Sequence, residues 1–309
     1  MKNRSLVQHL VLSLKGMAMG AADVIPGVSG GTIAFISGIY EELIESLNNI
    51  NFGALKILLK DGVAEFWKHI NGTFFVVLFG GIIISILSLV RLVTYLLKNE
   101  PVLLWSFFFG LIAASVWLVG KGIKKWNAGV IISMSIGTGI AFYISTIQTV
   151  AHVDTKLYIF LSGAIAICAM ILPGISGSFI LILLGSYGLI TDGLKEVDLV
   201  VIGLFALGCI TGLMSFSRLL KFLFSRFREI TVAVLTGFML GSLYKVWPWK
   251  NQVGSEPLVV HSDGEKEWAM QNVLPGDFSG DDQLLYAIGC ALAGLLVIIV
   301  LDRFAPKDK

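Results

Sequence analysis

Pro26-Gly27-Val28-Ser29-Gly30-Gly31, followed by Thr32, places helix breakers and a hydroxyl-rich turn inside an apolar run. Pro173-Gly174-Ile175-Ser176-Gly177-Ser178 repeats the pattern 147 positions later. Proline removes a backbone donor and glycine weakens a helix interior. A helix broken in hydrocarbon leaves N–H and C=O groups bare, at a cost on the order of several kcal/mol each. Two such breaks in one chain suggest groups kept for a ligand. A glycine-rich turn feeding a helix aims N–H groups at one point, where the helix dipole favours negative charge. Ser29, Thr32, Ser176 and Ser178 add hydroxyl donors. Phosphate or carboxylate suits such a cradle, although turned carbonyls also suit Na⁺.

Few ionisable residues accompany these turns. Asp23 precedes the first, and its counterpart is Met170. An intramembrane carboxylate is a functional candidate; here it either carries a coupling proton or caps a half-helix. Arg91 and Arg218 recur at a spacing of 127. A guanidinium grips phosphate oxygens in a fork, whereas an arginine at a span end simply snorkels to the interface. Glu41, Glu42 and Glu45 read as solvated interfacial carboxylates. Cys168, Cys209 and Cys290 have spacings that suit neither a disulfide framework nor zinc, so no metal and no cofactor is expected beyond a possible H⁺ or Na⁺.

The elements that position these residues are themselves repeated. Residues 16–40 and 163–187 share nine identities over 25 positions, among them Gly16/Gly163, Ala22/Ala169, Ile33/Ile180, Gly38/Gly185 and Tyr40/Tyr187. Beyond them Gly81/Gly208, Ser88/Ser215, Arg91/Arg218, Gly110/Gly237 and Ser115/Ser242 keep the order at a spacing of 127. This is an internal duplication with about 20 extra residues in the first copy. Gly16, Gly38, Gly80, Gly81, Gly110 and Gly120 are read as helix-packing residues.

Composition excludes a soluble globule: 56% of residues are hydrophobic, 14% are charged, and mean hydropathy is +0.84. Basic residues before an apolar run resemble a signal peptide, but Lys15 interrupts that run within the duplicated unit, so the segment is read as mature structure. The expected fold is an all-α polytopic membrane protein of two inverted-topology repeats. Each repeat has a re-entrant helical hairpin plus three transmembrane helices. Repeat 1 covers residues 1–147: a hairpin at 5–47, an amphipathic cytoplasmic helix at 50–70, and spans at 72–97, 102–120 and 127–147. Repeat 2 covers 157–301: a hairpin at 157–190, spans at 199–220, 229–247 and 284–301, and a polar external loop at 248–283. Residues 302–309 form a cytoplasmic tail. Lys121, Lys124 and Lys125 mark the inside, and the other basic clusters then fall on that side. Three crossings per copy is an odd number, so the copies are inverted. Inverted repeats with broken helices near the midplane are the architecture of alternating-access transporters.

Residues 16–32, Gly-Met-Ala-Met-Gly-Ala-Ala-Asp-Val-Ile-Pro-Gly-Val-Ser-Gly-Gly-Thr, together with Ile171–Ser178, resemble the DUF368 family of bacterial membrane proteins over essentially the whole chain. The resemblance implies a polyprenyl-phosphate (undecaprenyl-phosphate) translocase of the bacterial cytoplasmic (inner) membrane, returning the lipid carrier of cell-wall synthesis to the inner leaflet. It also implies a lipid partner and no nucleic acid, and leaves oligomeric state open. The substrate-binding set is then Pro26, Gly27, Ser29, Gly30, Gly31, Thr32, Pro173, Gly174, Ser176, Gly177, Ser178, Arg91 and Arg218, with Asp23 as coupling group. Two alternatives remain. One is a phosphatase acting on polyprenyl pyrophosphate, whose loop would place Arg after Ser where Gly30 and Gly177 stand, leaving Glu41 and Glu45 as candidate acids. The other is a transporter of a small soluble anion.

Overall fold

The computed structural model describes residues 4–24, 28–147, 155–254, 259–260 and 266–304, so Pro26 and Gly27 lie outside the described residues. The chain is an all-helical bundle with one small strand-bearing segment. Its first half comprises α1 (Leu6–Asp23), α2 (Gly30–Ile36), α3 (Tyr40–Asn49), α4 (Phe52–Lys60), α5 (Val63–His69), α6 (Gly72–Asn99), α7 (Pro101–Lys121) and α8 (Ala128–Thr146). The second comprises α9 (Lys156–Ile171), α10 (Gly177–Leu183), α11 (Tyr187–Lys195), α12 (Leu199–Arg226), α13 (Arg228–Ser242) and α14 (Leu284–Phe304). Start signals are local. Ser5 and Gln8 form a capping box on α1, Asn127 caps α8, Thr155 caps α9, Asp198 caps α12, and Pro101 opens α7.

Among the described residues α6, α7, α8 and α12 are long and apolar enough to cross a bilayer, and the bent pair α10–α11 makes a fifth candidate. The 28 residues of α6 extend about 42 Å, against a hydrocarbon core of about 30 Å. The outer faces of α6, α8, α12 and α14 are greasy: Ile84, Leu87, Ile132, Ile136, Leu207, Phe222, Leu285 and Leu292 are all exposed. A soluble protein does not carry such a belt, and the chain is a polytopic membrane protein.

Helix directions follow from where glycines meet neighbouring carbonyls. Gly16 rests on the Leu78 carbonyl and Gly20 on that of Ile82, so α1 and α6 run parallel. Gly208 rests on the Phe160 carbonyl and Gly212 on that of Ala164, so α9 and α12 also run parallel. Glu100 joins α6 to α7 and accepts from Gln283 Nε2 at 3.2 Å, at what we term the strand end. Phe227 joins α12 to α13, where Glu229 accepts from the Lys124 N–H at 3.0 Å, at the lysine end. Hence α1 runs toward the strand end and α9 toward the lysine end. The hairpins that they open enter the bundle from opposite ends.

Four details differ from the sequence expectation. The second limb of each hairpin is broken, at Gly38 (φ +74°) and at Gly185 (φ +65°), and α10 and α11 meet at 110°. Each break closes with a Schellman pattern: Ile39 N–H to the Ala34 carbonyl at 3.0 Å, and Ser186 N–H to the Leu181 carbonyl at 2.9 Å. Gly38 is therefore a turn residue, not a packing one. Gly80 and Gly120 likewise have open space where a Cβ would stand, whereas Gly16, Gly81 and Gly110 do pack against backbone. The amphipathic helix is two helices, α4 and α5, parted at Gly62 (φ +84°). The span 229–247 stops at Ser242, where the chain turns ahead of Pro248. Finally, the 248–283 segment is not a plain loop. It contains β1 (Lys250–Val253) paired antiparallel with β4 (Ala269–Asn272), and β2 (Val259–Val260) paired with β3 (Lys266–Glu267).

Candidate functional site

The two helix breaks touch each other at the centre. Ser29 caps α2 by accepting from the Gly31 N–H at 3.1 Å, and its hydroxyl donates to the Met170 carbonyl, also at 3.1 Å. Thr32 Oγ1 accepts from the Gly174 N–H at 2.8 Å. These bonds cross about 140 residues of sequence and latch one hairpin to the other. Close approach depends on absent side chains. A Cβ on Gly31 would fall 2.5 Å from the Ile171 carbonyl oxygen, and one on Gly174 would fall 2.7 Å from that of Phe238. Gly174 also holds φ at +90°, which favours glycine.

The structure thus engages most of the expected donors. Ser29, Thr32 and Ser176 are buried, and Ser176 and Ser178 share a hydrogen bond of 2.9 Å between their hydroxyls. The Gly30 N–H, expected to meet an anion, donates to Asp23 Oδ1 at 2.6 Å. A carboxylate of the protein therefore stands where a bound anion was expected, as an N-terminal cap on α2. The equivalent position in the second hairpin has no charged side chain: Gly177 lies against Met170 Cβ and the Ala166 carbonyl. The two motifs are alike in backbone and unlike in charge.

A cavity of about 840 Å³ begins where α2 ends and opens toward the lysine end. Phe35, Leu118 and Val232 form part of its apolar wall, and Glu42, Asn71 and Arg228 part of its polar one. Arg4 pairs with Glu42 at 2.5 Å, Asn71 bridges Glu42 and Ser46, and Arg228 pairs with Glu41 at 2.8 Å. Glu41 and Glu42 are thus ion-paired around a cavity, not merely solvated. Two polar atoms of its lining residues, Tyr40 Oη and His69 Nε2, are buried with no hydrogen-bond partner among the described residues. Such orphans are uncommon, and both belong to this one cavity. Sequence reasoning missed it because its walls come from helices far apart in the chain. It also read Lys15 only as an interruption of the apolar run and missed its contact: the ammonium donates to the Ser37 carbonyl at 2.6 Å and so satisfies the C-terminal end of α2. The visible signal was a lysine interrupting an apolar run.

Arg91 and Arg218 are not brought to the centre. Both are exposed, at equivalent steps of α6 and α12, among exposed apolar residues such as Leu92 and Leu219. Neither makes a hydrogen bond or ion pair among the described residues.

Comparison with known proteins gives the family. A polyprenyl-phosphate transporter of Vibrio cholerae serotype O1 is 44% identical over 306 residues, covering 97% of this chain and 98% of its own length. A polyprenyl-phosphate transporter of Staphylococcus aureus is 33% identical over 254 residues, covering 76% of this chain and 85% of its own. No solved structure matches. The family described as undecaprenyl phosphate translocase-like matches residues 19–261, and the chain belongs to it.

Proposed function

We propose that the protein moves a polyprenyl phosphate, such as undecaprenyl phosphate, between the leaflets of the bacterial cytoplasmic membrane by alternating access. One observation carries the mechanism. Two broken hairpins enter from opposite ends and are latched at their breaks by Ser29–Met170 and Thr32–Gly174, while a large cavity runs from the far end of α2 toward the lysine end. Lys121, Lys124 and Lys125 assign the cavity end to the cytoplasm, with both termini there and the 248–283 segment outside. The described state is then closed at the centre and open inward. Its cavity offers apolar wall to a prenyl tail and polar wall to a head group.

Glycine–carbonyl contacts support two related halves. Gly16 meets Leu78 and Gly163 meets Phe205, Gly81 meets Ser13 and Gly208 meets Phe160, each pair keeping the 147 and 127 offsets. Rocking one half against the other would open the central latch to each side in turn. Asp23 occupies the Gly30 N–H in the closed state, and a phosphate taking that place displaces a like charge. A proton on the displaced carboxylate then removes the repulsion, which makes Asp23 the coupling group. No cofactor and no bond cleavage belong to this cycle.

Leaflet-resolved transport of undecaprenyl phosphate in proteoliposomes tests the assignment. We expect exchange between leaflets to depend on protein; identical rates in protein-free vesicles would overturn it.

A further inference from the structure

Tyr40 and His69 hold polar atoms that this state of the molecule leaves unused. The Tyr40 ring is fixed by edge contacts with Phe35 at 5.1 Å and Phe224 at 5.9 Å, and the residue is only 1% exposed. A phenylalanine would pack there equally well, so the hydroxyl adds nothing to the packing. The His69 carbonyl accepts from Asn49 Nδ2 at 3.1 Å, which seats the end of α5 against α3, the helix that Tyr40 opens. Neither Tyr40 Oη nor His69 Nε2 has a hydrogen-bond partner among the described residues, and both residues line the cavity at the lysine end. A buried donor without an acceptor destabilises the fold, and two at one cavity point to a guest.

Charge on the same wall narrows the guest's chemistry. Arg228, the first residue of α13, pairs with Glu41 at 2.8 Å, and both side chains are half-exposed. Such exposed pairs are weak and exchangeable. Glu42 is held by two partners, Arg4 and Asn71, and Glu45 is exposed to water. Lys68 and Glu65 form another exposed pair, but a guanidinium grips two phosphate oxygens where an ammonium grips one. Two neutral donors beside a releasable guanidinium suit a compact anion with several acceptor oxygens.

Position assigns this guest to one side. Helices α4 and α5 belong to the extra length of the first copy, so the second copy supplies no equivalent of His69 at the strand end. The cavity wall beside these polar groups is apolar, with Phe35, Leu118 and Val232, and suits a hydrocarbon chain attached to the anion.

We propose that Tyr40, His69 and Arg228 form the lysine-end receptor for a phosphate monoester head group. This rests on the polyprenyl-phosphate reading above. The Tyr40 hydroxyl and the His69 Nε2–H donate to phosphate oxygens, and Arg228 leaves Glu41 to grip them in a fork. Glu41 turns to water, and the prenyl tail follows the apolar wall toward lipid.

Full-length protein in nanodiscs is titrated with undecaprenyl phosphate, undecaprenol or inorganic phosphate, read by the shift in thermal unfolding and by co-purified lipid. Wild type should bind undecaprenyl phosphate more tightly than either of the others. Without lipid, Tyr40→Phe should unfold no earlier than wild type, yet it should bind undecaprenyl phosphate about fivefold more weakly or worse. His69→Leu should weaken that binding similarly, while His69→Gln keeps an N–H donor and should retain most of it. Arg228→Gln should weaken it about tenfold, and Arg228→Lys less. Undecaprenol binding should stay the same in every variant. If His69→Leu does not fold, Tyr40→Phe decides alone. Tyr40→Phe that binds undecaprenyl phosphate like wild type, or loses undecaprenol equally, would overturn the receptor and leave the transport reading intact. Wild type that ignores undecaprenyl phosphate would overturn the transport reading itself. Inorganic phosphate binding as tightly as the lipid phosphate would overturn the lipid source.

Discussion

At the scale of single residues, Gly30 and Asp23 show how much of the site can be read from sequence. The Pro-Gly-x-Ser-Gly repeat marks where the chain breaks, because helix breakers in an apolar run have few other uses. It does not reveal that Ser29 and Thr32 spend their hydroxyl groups on the other hairpin, since that depends on contacts across about 140 residues. Nor does glycine content separate packing from binding. A Cβ on Gly30 would fall 2.5 Å from Asp23 Oδ2, a movable side chain, while one on Gly177 would fall 2.9 Å from the Ala166 carbonyl, which is fixed backbone. Gly177→Ala should therefore destabilise more than Gly30→Ala, by roughly 1–3 kcal/mol for overpacking, as judged by thermal unfolding in detergent. Asp23→Ala should rescue Gly30→Ala and not Gly177→Ala. Asp23→Asn keeps an acceptor for the Gly30 N–H and removes the charge. Normal membrane levels with transport reduced at least about tenfold, equivalent to roughly 1.4 kcal/mol, are expected. Wild-type rates in that variant would leave Asp23 as a cap only.

At the scale of elements, the repeated motif was visible and the kink that follows each occurrence was not. Gly38 and Gly185 stand out as a repeated pair, yet a glycine in an apolar stretch has two uses that composition cannot tell apart. Structure separates them by φ and by neighbours: positive φ with open space at Gly38, carbonyl contact at Gly16 and Gly81. The 50–70 segment shows the same limit. Its apolar face is real, with Phe52, Leu59 and Val63 exposed, but Gly62 divides it. The strands of 248–283 were hidden because a polar, acidic composition says little about pairing. The turn assignment makes a graded prediction. Alanine at Gly38 or Gly185 should lower stability by about 1 kcal/mol, because a Cβ disfavours the left-handed conformation. Alanine at Gly80, inside a helix with nothing nearby, should leave stability unchanged or raise it by up to about 1 kcal/mol. Equal losses at all three positions would contradict the distinction.

At the scale of the whole molecule, fold class was legible because long apolar runs and clustered lysines obey physics that needs no tertiary detail. The open cavity was not, since it depends on how α2, α7 and α13 lean together. What relates the two levels is direction. In one copy α1 runs with α6, and in the other α9 runs with α12, yet α6 and α12 end at opposite ends of the bundle. An even number of crossings per copy would have put both hairpins on one side, and their breaks could not then meet tip to tip. Membrane orientation follows from the same reasoning and can be measured directly. In a variant lacking the three native cysteines, a cysteine at Ser279, in the strand-end segment, should react with an impermeant maleimide added to intact cells. A cysteine at Lys124 should react only after the membrane is opened. A cysteine at Ser37, on the cavity wall at the end of α2, should follow Lys124 in the inward-open state and become protected when undecaprenyl phosphate is added. Labelling of Ser279 and Lys124 from the same side would break the inversion, and with it any mechanism in which one central latch serves both leaflets.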